Sequence, residues 1–413
     1  MSTAAIPTAA RPVPMRYRPI RTVPDLARHL QWAMSVELST VPPYLTALYS
    51  ITDNSADAYR LIRSVAIEEM LHMMLVANLL NSIGTVPDLT GDDVVPSYPG
   101  YIPHHAAGGP YIQLQALSPG LARSVFMAIE QPEASPCAPA EGDDFQTIGQ
   151  FYKAIEEGFE YCVKEFGHEG VFGKGTPYQR DDTYFGSGGG HLVVVHDLAG
   201  AKLAINEIVE QGEGATHPQP PTPGEEPFGG YEHYGERLDG TYGPILGVPW
   251  ELSHYRKFEQ IATGAVPTPD VYPMRANPSP DDLEGDLRRA ANLFDDCYGL
   301  TLRALEGALG SPAEPTDFFG VAFPVMHFAL PPLAQLLMQT PLEAAADPAY
   351  GPNAGPAWRY RAGRLDAILR EAEALLAADP GRGETYLRLW RQSLGRVVET
   401  LRGACRAAEG SDL

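Results

Sequence analysis

Residues 66–81 read Ala66-Ile-Glu-Glu-Met-Leu-His-Met-Met-Leu-Val-Ala-Asn-Leu-Leu-Asn81, an apolar run that carries an acid, Glu69, and an imidazole, His72. Leu61, Ile62, Val65, Met73, Val76 and Leu80 recur around this pair at helical spacing. Residues 57–83 are therefore predicted to be a helix, with Gly84 as its stop. Side chains three apart project from one helix face, so Glu69 and His72 offer an oxygen and a nitrogen to one point in the core. Burying them is costly unless a cation or hydrogen bonds compensate.

The pattern recurs outward from this stretch. Residues 26–51 place Glu37 inside a stripe of Leu26, Leu30, Ala33, Met34, Leu38 and Val41, with Asp25 as the expected N-cap and Pro42-Pro43 expected to kink or interrupt the helix. Asp197 is expected to cap a third helix through residue 212, on which Lys202, Ile205, Val209 and Glu213 share a face and Glu210 falls on the polar side. A fourth helix, residues 250–263, opens on Glu251-Leu-Ser-His254, a second Glu-x-x-His. The order Glu, Glu-x-x-His, Glu, Glu-x-x-His matches the ligand order of dinuclear carboxylate bundles. It makes Glu37, Glu69, His72, Glu213, Glu251 and His254 the candidate ligands, and with them the candidate catalytic set. A lone Glu-x-x-His recurs on solvated helix faces, but four buried carboxylates require a cation. Oxygen and imidazole donors without thiolate favour two iron ions, with manganese as the alternative, over structural zinc.

Neighbouring residues receive plainer readings. Glu68 is read as a solvated neighbour rather than an acceptor for an imidazole. Tyr44 and Tyr255 are placed near the site as packing, and Met70, Met73 and Met74 likewise. His327, with no partner at ligand spacing, is read as a loop or core histidine.

Residues 1–24 read as a proline-rich extended arm, 25–265 as the metal-binding bundle and 266–413 as a helical region packed on it. Helices are expected there near 281–309, 318–340, 361–378 and 383–408. Residues 85–195, rich in Pro, Gly and Tyr with one helix near 147–166, read as a long loop-rich insertion that lines or covers the site. Thirty basic against 52 acidic side chains give a net charge of −22, which repels phosphate backbones and anionic lipid. Neither nucleic acid nor membrane is an expected partner. Cys137, Cys162, Cys297 and Cys405 are scattered, as suits a reducing compartment, and the start has no apolar core of a signal peptide, so a cytoplasmic location is expected.

Val36-Glu-Leu-Ser-Thr-Val-Pro-Pro-Tyr-Leu-Thr-Ala-Leu-Tyr-Ser-Ile51 and residues 66–81, followed by Gln211-Gly-Glu-Gly214 and Glu251-Leu-Ser-His-Tyr255, resemble the ferritin-like domain of the iminophenyl-pyruvate dimer synthase family. The resemblance runs over residues 25–340. It implies an all-α, ferritin-like four-helix bundle with the same six ligands, related to chromopyrrolic acid synthase and the violacein-pathway imine dimer synthase. Those enzymes oxidatively couple two imines derived from aromatic 2-oxo acids. They are longer and associated with haem; this chain lacks their large extra region, so haem is not expected from it alone.

The expected function is a dinuclear-iron, dioxygen-dependent oxidoreductase acting on a small amino-acid-derived metabolite in natural-product biosynthesis. Oxidative imine coupling is a narrower alternative. A ferritin-like metal-storage or non-catalytic binding protein is another, and the long insertion argues against a compact storage cage. Small-molecule substrate and dioxygen are the expected partners, and the reading admits an electron donor and a homodimer.

Overall fold

The computed structural model describes residues 18–132, 140–181, 192–212, 231–232, 236–237, 252–310, 316–343 and 347–408. Its long helices start and stop where local chemistry asks. Helix α1 (Val23–Ser50) begins at Thr22, whose hydroxyl accepts from the amide of Asp25 at 3.1 Å, so Thr22 and not Asp25 is the N-cap. Helix α2 (Asp57–Ser82) ends ahead of Gly84, which takes φ 77.

Contrary to expectation, Pro42 and Pro43 do not interrupt α1. A proline cannot donate to the carbonyl four residues earlier. For Pro43 that carbonyl belongs to Ser39, and the Tyr98 hydroxyl donates to it at 2.8 Å. A side chain from residues 85–195 thus takes the place of the missing backbone hydrogen bond.

Helix α3 spans Pro119–Ile129 and contains a π-helical stretch, Ala122–Phe126. Helix α4 (Ile148–Phe172) is two helical pieces joined at Gly167, with φ 72. Helix α5 (Leu198–Gly212) is capped by Asp197, whose carboxylate accepts from the Gly200 amide at 2.8 Å. Helices α1, α2, α5 and α4 pack in a closed circuit, each against the next. The region read as an insertion therefore supplies a wall of the four-helix bundle. Helix α6 (His254–Thr263) is short, caps the bundle against α2 and α3, and starts at Ser253, whose hydroxyl accepts from the Arg256 amide.

Beyond it lie α7 (Gly285–Gly310), a π-helical turn at Thr316–Ala322, α8 (Phe323–Phe328), α9 (Leu330–Met338), α10 (Leu365–Ala377) and α11 (Glu384–Ala407). Helix α9 packs on α1, and Trp358 donates to Thr46 of α1 at 2.7 Å while stacking on Tyr49. The run Phe318–Met338 is long and apolar enough to cross a membrane, with over half of it buried against the rest of the fold. Strand is confined to two antiparallel hairpins among the described residues: Gly100–Tyr101 with Tyr111–Ile112, Gly100 opposite Ile112, and Tyr231–Glu232 with Glu236–Arg237.

Candidate metal centre

Inside the bundle, Glu37, Glu69, His72 and His254 converge with every side chain at most 2% exposed. Glu37 comes from the middle of α1, Glu69 and His72 from one turn of α2, and His254 from the first residue of α6. A fifth ligand candidate, Glu130, follows the end of α3 and is 4% exposed.

These residues form two groups that share one member. In Glu37, Glu69 and His72, and in Glu69, Glu130 and His254, one donor atom per residue lies within 4.8 Å of the others. Glu69 belongs to both, its Oε1 being 2.8 Å from Nδ1 of His254 and its Oε2 4.0 Å from Nδ1 of His72. Nδ1 of His72 is 3.4 Å from Glu37, and Nδ1 of His254 is 3.5 Å from Glu130.

Both imidazoles are held from behind. Nε2 of His72 lies 2.9 Å from Oε1 of Gln211 on α5, and Nε2 of His254 lies 2.8 Å from Oε2 of Glu68. With its proton on Nε2 and an acceptor there, each ring presents an Nδ1 lone pair to the carboxylates. Nδ1 of His254 is fully buried, and its approach to Glu69 lacks the geometry of a hydrogen bond. A buried nitrogen left in that state among carboxylates fits a metal ligand, since a metal supplies the missing partner. The residues present therefore fit a metal site, in two groups that share Glu69.

Glu68 is fully buried, which corrects the reading of it as a solvated neighbour. Nζ of Lys257, one turn beyond His254, stands 2.8 and 2.6 Å from its two oxygens. Burial would raise the Glu68 pKa, but the Lys257 ammonium and His254 outweigh it and hold the carboxyl at about 2. Tyr44 donates to Glu130 at 2.5 Å and Tyr152 of α4 donates to Glu37, while Thr40 Oγ1 is 2.7 Å from Glu69. Burial, together with these carboxylates, keeps both phenols protonated far above neutral pH.

Without a metal, protons offset the crowding of carboxylates. Burial and the neighbouring Glu130 raise the Glu69 pKa to about 7. His254 is raised well above its ordinary value despite burial, because Glu130, Glu68 and Glu69 surround it.

Of the six residues singled out by spacing, Glu37, Glu69, His72 and His254 come together. Glu213 and Glu251 lie outside the described residues. The helical premises for both change, however. Helix α6 starts at His254 and Leu252 and Ser253 are not helical, so the second Glu-x-x-His is not carried on a continuous turn. On α5 the buried stripe is Ala201, Ala204, Ile205, Ile208 and Gln211, whereas Lys202 turns outward to Glu156 and Glu160. Glu210 is exposed as expected. Tyr44 is a hydrogen-bonding member of the site; Tyr255 is half-buried beside Arg256.

Glu130, Tyr152, Gln211 and Lys257 were not singled out as site residues. Glu130 had one signal, an acid at the end of the apolar stripe Leu121, Val125, Phe126, Ile129. Tyr152 had none beyond its place on an amphipathic helix.

Comparison with known proteins agrees with this architecture. Residues 30–263 match the model of the family described as Ferritin-like. A dichlorochromopyrrolate synthase from Lentzea aerocolonigenes is 25% identical over 395 residues, covering 82% of this chain and 36% of the relative. The chain thus spans about a third of that relative's length. The crystal structure of a ferritin-like protein from Caulobacter vibrioides superposes with a TM-score of 0.55 at 24% identity, over 83% of this chain and 100% of the other. With more than half its residues in the matched region and its carboxylates and imidazoles inside a four-helix bundle, the chain belongs to the ferritin-like family.

Proposed function

We propose that this chain is a dinuclear-iron, dioxygen-dependent oxidoreductase acting on a small amino-acid-derived metabolite in a biosynthetic pathway. The observation that carries the reading is Glu69, shared by two buried three-residue groups, each completed by an imidazole with its Nδ1 turned inward. Glu37, Glu69 and His72 would hold one ion and Glu69, Glu130 and His254 the other. Glu213 and Glu251 remain candidate ligands by sequence. Gly212 lies near the site, since a Cβ on it would lie 3.7 Å from Glu130 Oε2.

Two iron ions in this position would supply redox equivalents for reducing dioxygen. The protein's own contribution is positional and electrostatic. Complete burial of the carboxylates excludes water and strengthens every charge interaction. Tyr44 and Tyr152 keep Glu130 and Glu37 in place and hold protons at their phenol oxygens. Gln211 and Glu68 lock the imidazole tautomers from behind.

The similarity to a dichlorochromopyrrolate synthase supports an oxidative biosynthetic role and makes oxidative imine coupling the narrower form of the proposal. The test is to load the purified protein anaerobically with ferrous iron, add oxygen, and follow oxygen uptake with imines prepared from amino-acid-derived 2-oxo acids. Substrate-dependent uptake that is lost in His254→Ala is the expected result. Oxygen uptake driven by iron alone, with mineral accumulating and no effect of any such metabolite, would replace this reading with metal storage.

A further inference from the structure

The outer side of α2 borders a second concavity. Tyr59, Arg63, Ala66 and Met70 recur three or four residues apart on α2, on a side turned away from His72 and offset from Glu69. They form one wall of a cleft of about 890 Å³ whose other walls come from residues 319–335 and from α11. That volume lies in the range of small-molecule sites. A smaller pocket of about 140 Å³ shares Arg63, Ile67, Met70, Met326 and His327 with the cleft, and so lies directly beside it. Its remaining lining is apolar, including Met73, Met74, Leu309, Phe318 and Phe323. A largely apolar space of this size accepts a group of about six carbons.

The cleft differs from the inner pocket in charge. Arg63 and Arg396 line it, and neither has an ion-pair partner among the described residues. Glu399 is the one carboxylate among the residues that line the cleft. Two guanidinium groups without such a partner thus stand at one cleft of a chain whose net charge is −22. Burial and the adjacent Arg63 charge lower the His327 pKa, so its neutral ring adds a hydrogen-bonding partner without changing the charge. Phe319 and Phe328, 40% and 56% exposed, stand at the same cleft and leave apolar surface for a ligand to cover.

We propose that this cleft is a second ligand site, separate from the metal centre, for an apolar monocarboxylate whose carboxylate meets Arg63 and whose apolar end enters the methionine-lined pocket. The ligand is recognised at two places: guanidinium for the anion and adaptable thioethers for the tail. Met70, Met73 and Met74, read from sequence as packing, thereby gain a binding role.

The test uses the metal-loaded full chain with methyl-labelled methionine, titrated with hexanoate and, as the uncharged counterpart, hexanol. Hexanoate should shift the methyl resonances of Met70, Met73, Met74 and Met326, and Arg63→Gln should weaken its binding about tenfold while hexanol is unaffected. Arg63 is exposed, so this variant should fold, and Met326→Phe, which narrows the inner pocket, should weaken both ligands. Equal affinity of hexanoate in wild type and Arg63→Gln, or methyl shifts confined to other methionines, would overturn the proposal. So would protection of these methyl groups by concentration-dependent self-association without ligand, which would make the cleft an interface between copies. Metal content stays constant throughout, so the result is independent of the assignment of the metal centre.

Discussion

Glu68 accepts from Nε2 of His254 at 2.8 Å, placing an ionised carboxylate behind one imidazole of the centre, while the other, His72, is backed by the neutral amide of Gln211. The two halves of the site are therefore unequal. A carboxylate partner raises the donor strength of an imidazole more than an amide does, and loss of such partners costs about 10–100-fold in metal affinity. Glu68→Gln should lower affinity at the His254 position by about that range and leave the His72 position within a few-fold. Competition titrations with cobalt, which reports each site optically, would check this; equal loss at both positions would count against the assignment.

Lys257, a residue only 4% exposed, is the charge that makes Glu68 tolerable, its ammonium 2.6 Å from the carboxylate. Removing one partner of a buried ion pair costs about 3–5 kcal/mol because the other is left uncompensated. Lys257→Met should destabilise the metal-free protein by that order, whereas Lys257→Met with Glu68→Leu should recover most of it. Denaturant unfolding of the single and double variants measures the difference. An additive loss in the double variant would show that the pair is not coupled.

Helix periodicity made α1, α2 and their inward residues legible, because a 3.6-residue stripe with a polar interruption reports both the fold and the burial of Glu37, Glu69 and His72. It failed where candidate ligands leave the stripe. His254 was found from its spacing to Glu251, yet it is the first residue of its helix, held by the Ser253 cap and by Glu68. Glu130 and Tyr152 come from residues 85–195, where the helix near 147–166 was expected but not as a wall of the bundle, and the short helix that ends before Glu130 was not expected. Glu68 was misjudged because one helical step separates it from Glu69, and only the position of Lys257 on α6 decides that this step is also buried.

The tandem prolines of α1 illustrate the same limit on a structural feature. Tyr98 is far from Ser39 in sequence, so nothing local announces that its hydroxyl would satisfy the carbonyl orphaned by Pro43. Tyr98→Phe should cost about 1–3 kcal/mol, the penalty for a buried acceptor left without a donor. Thermal unfolding would register it, and the neighbouring Glu37 should make metal affinity fall as well if α1 shifts. A variant with unchanged midpoint would mean that the carbonyl finds another donor.

The pH dependence of stability should change sign when metal is bound. In the metal-free protein Glu69 titrates near 7, above an ordinary glutamate, because of burial and the Glu130 charge. His72 and His254 are also raised, each opposed by burial and favoured chiefly by the Glu37 or Glu130 carboxylate. A group with a raised folded pKa binds more protons when native, so its stabilisation is complete at low pH and fades as pH rises through the folded value. The contrary groups, Glu37 and Glu68, have lowered pKa values and act below the ordinary glutamate range, outside this window. Between about pH 5 and 8 the metal-free protein should therefore lose stability as pH rises. Metal binding displaces the same protons from Glu69 and the imidazoles, so affinity, and with it the stabilisation conferred by metal, should rise over that interval. Melting temperatures of metal-free and metal-loaded protein across this range should move apart with increasing pH, and in His254→Ala the divergence should shrink. Parallel curves would mean that these protons are not the ones the metal displaces.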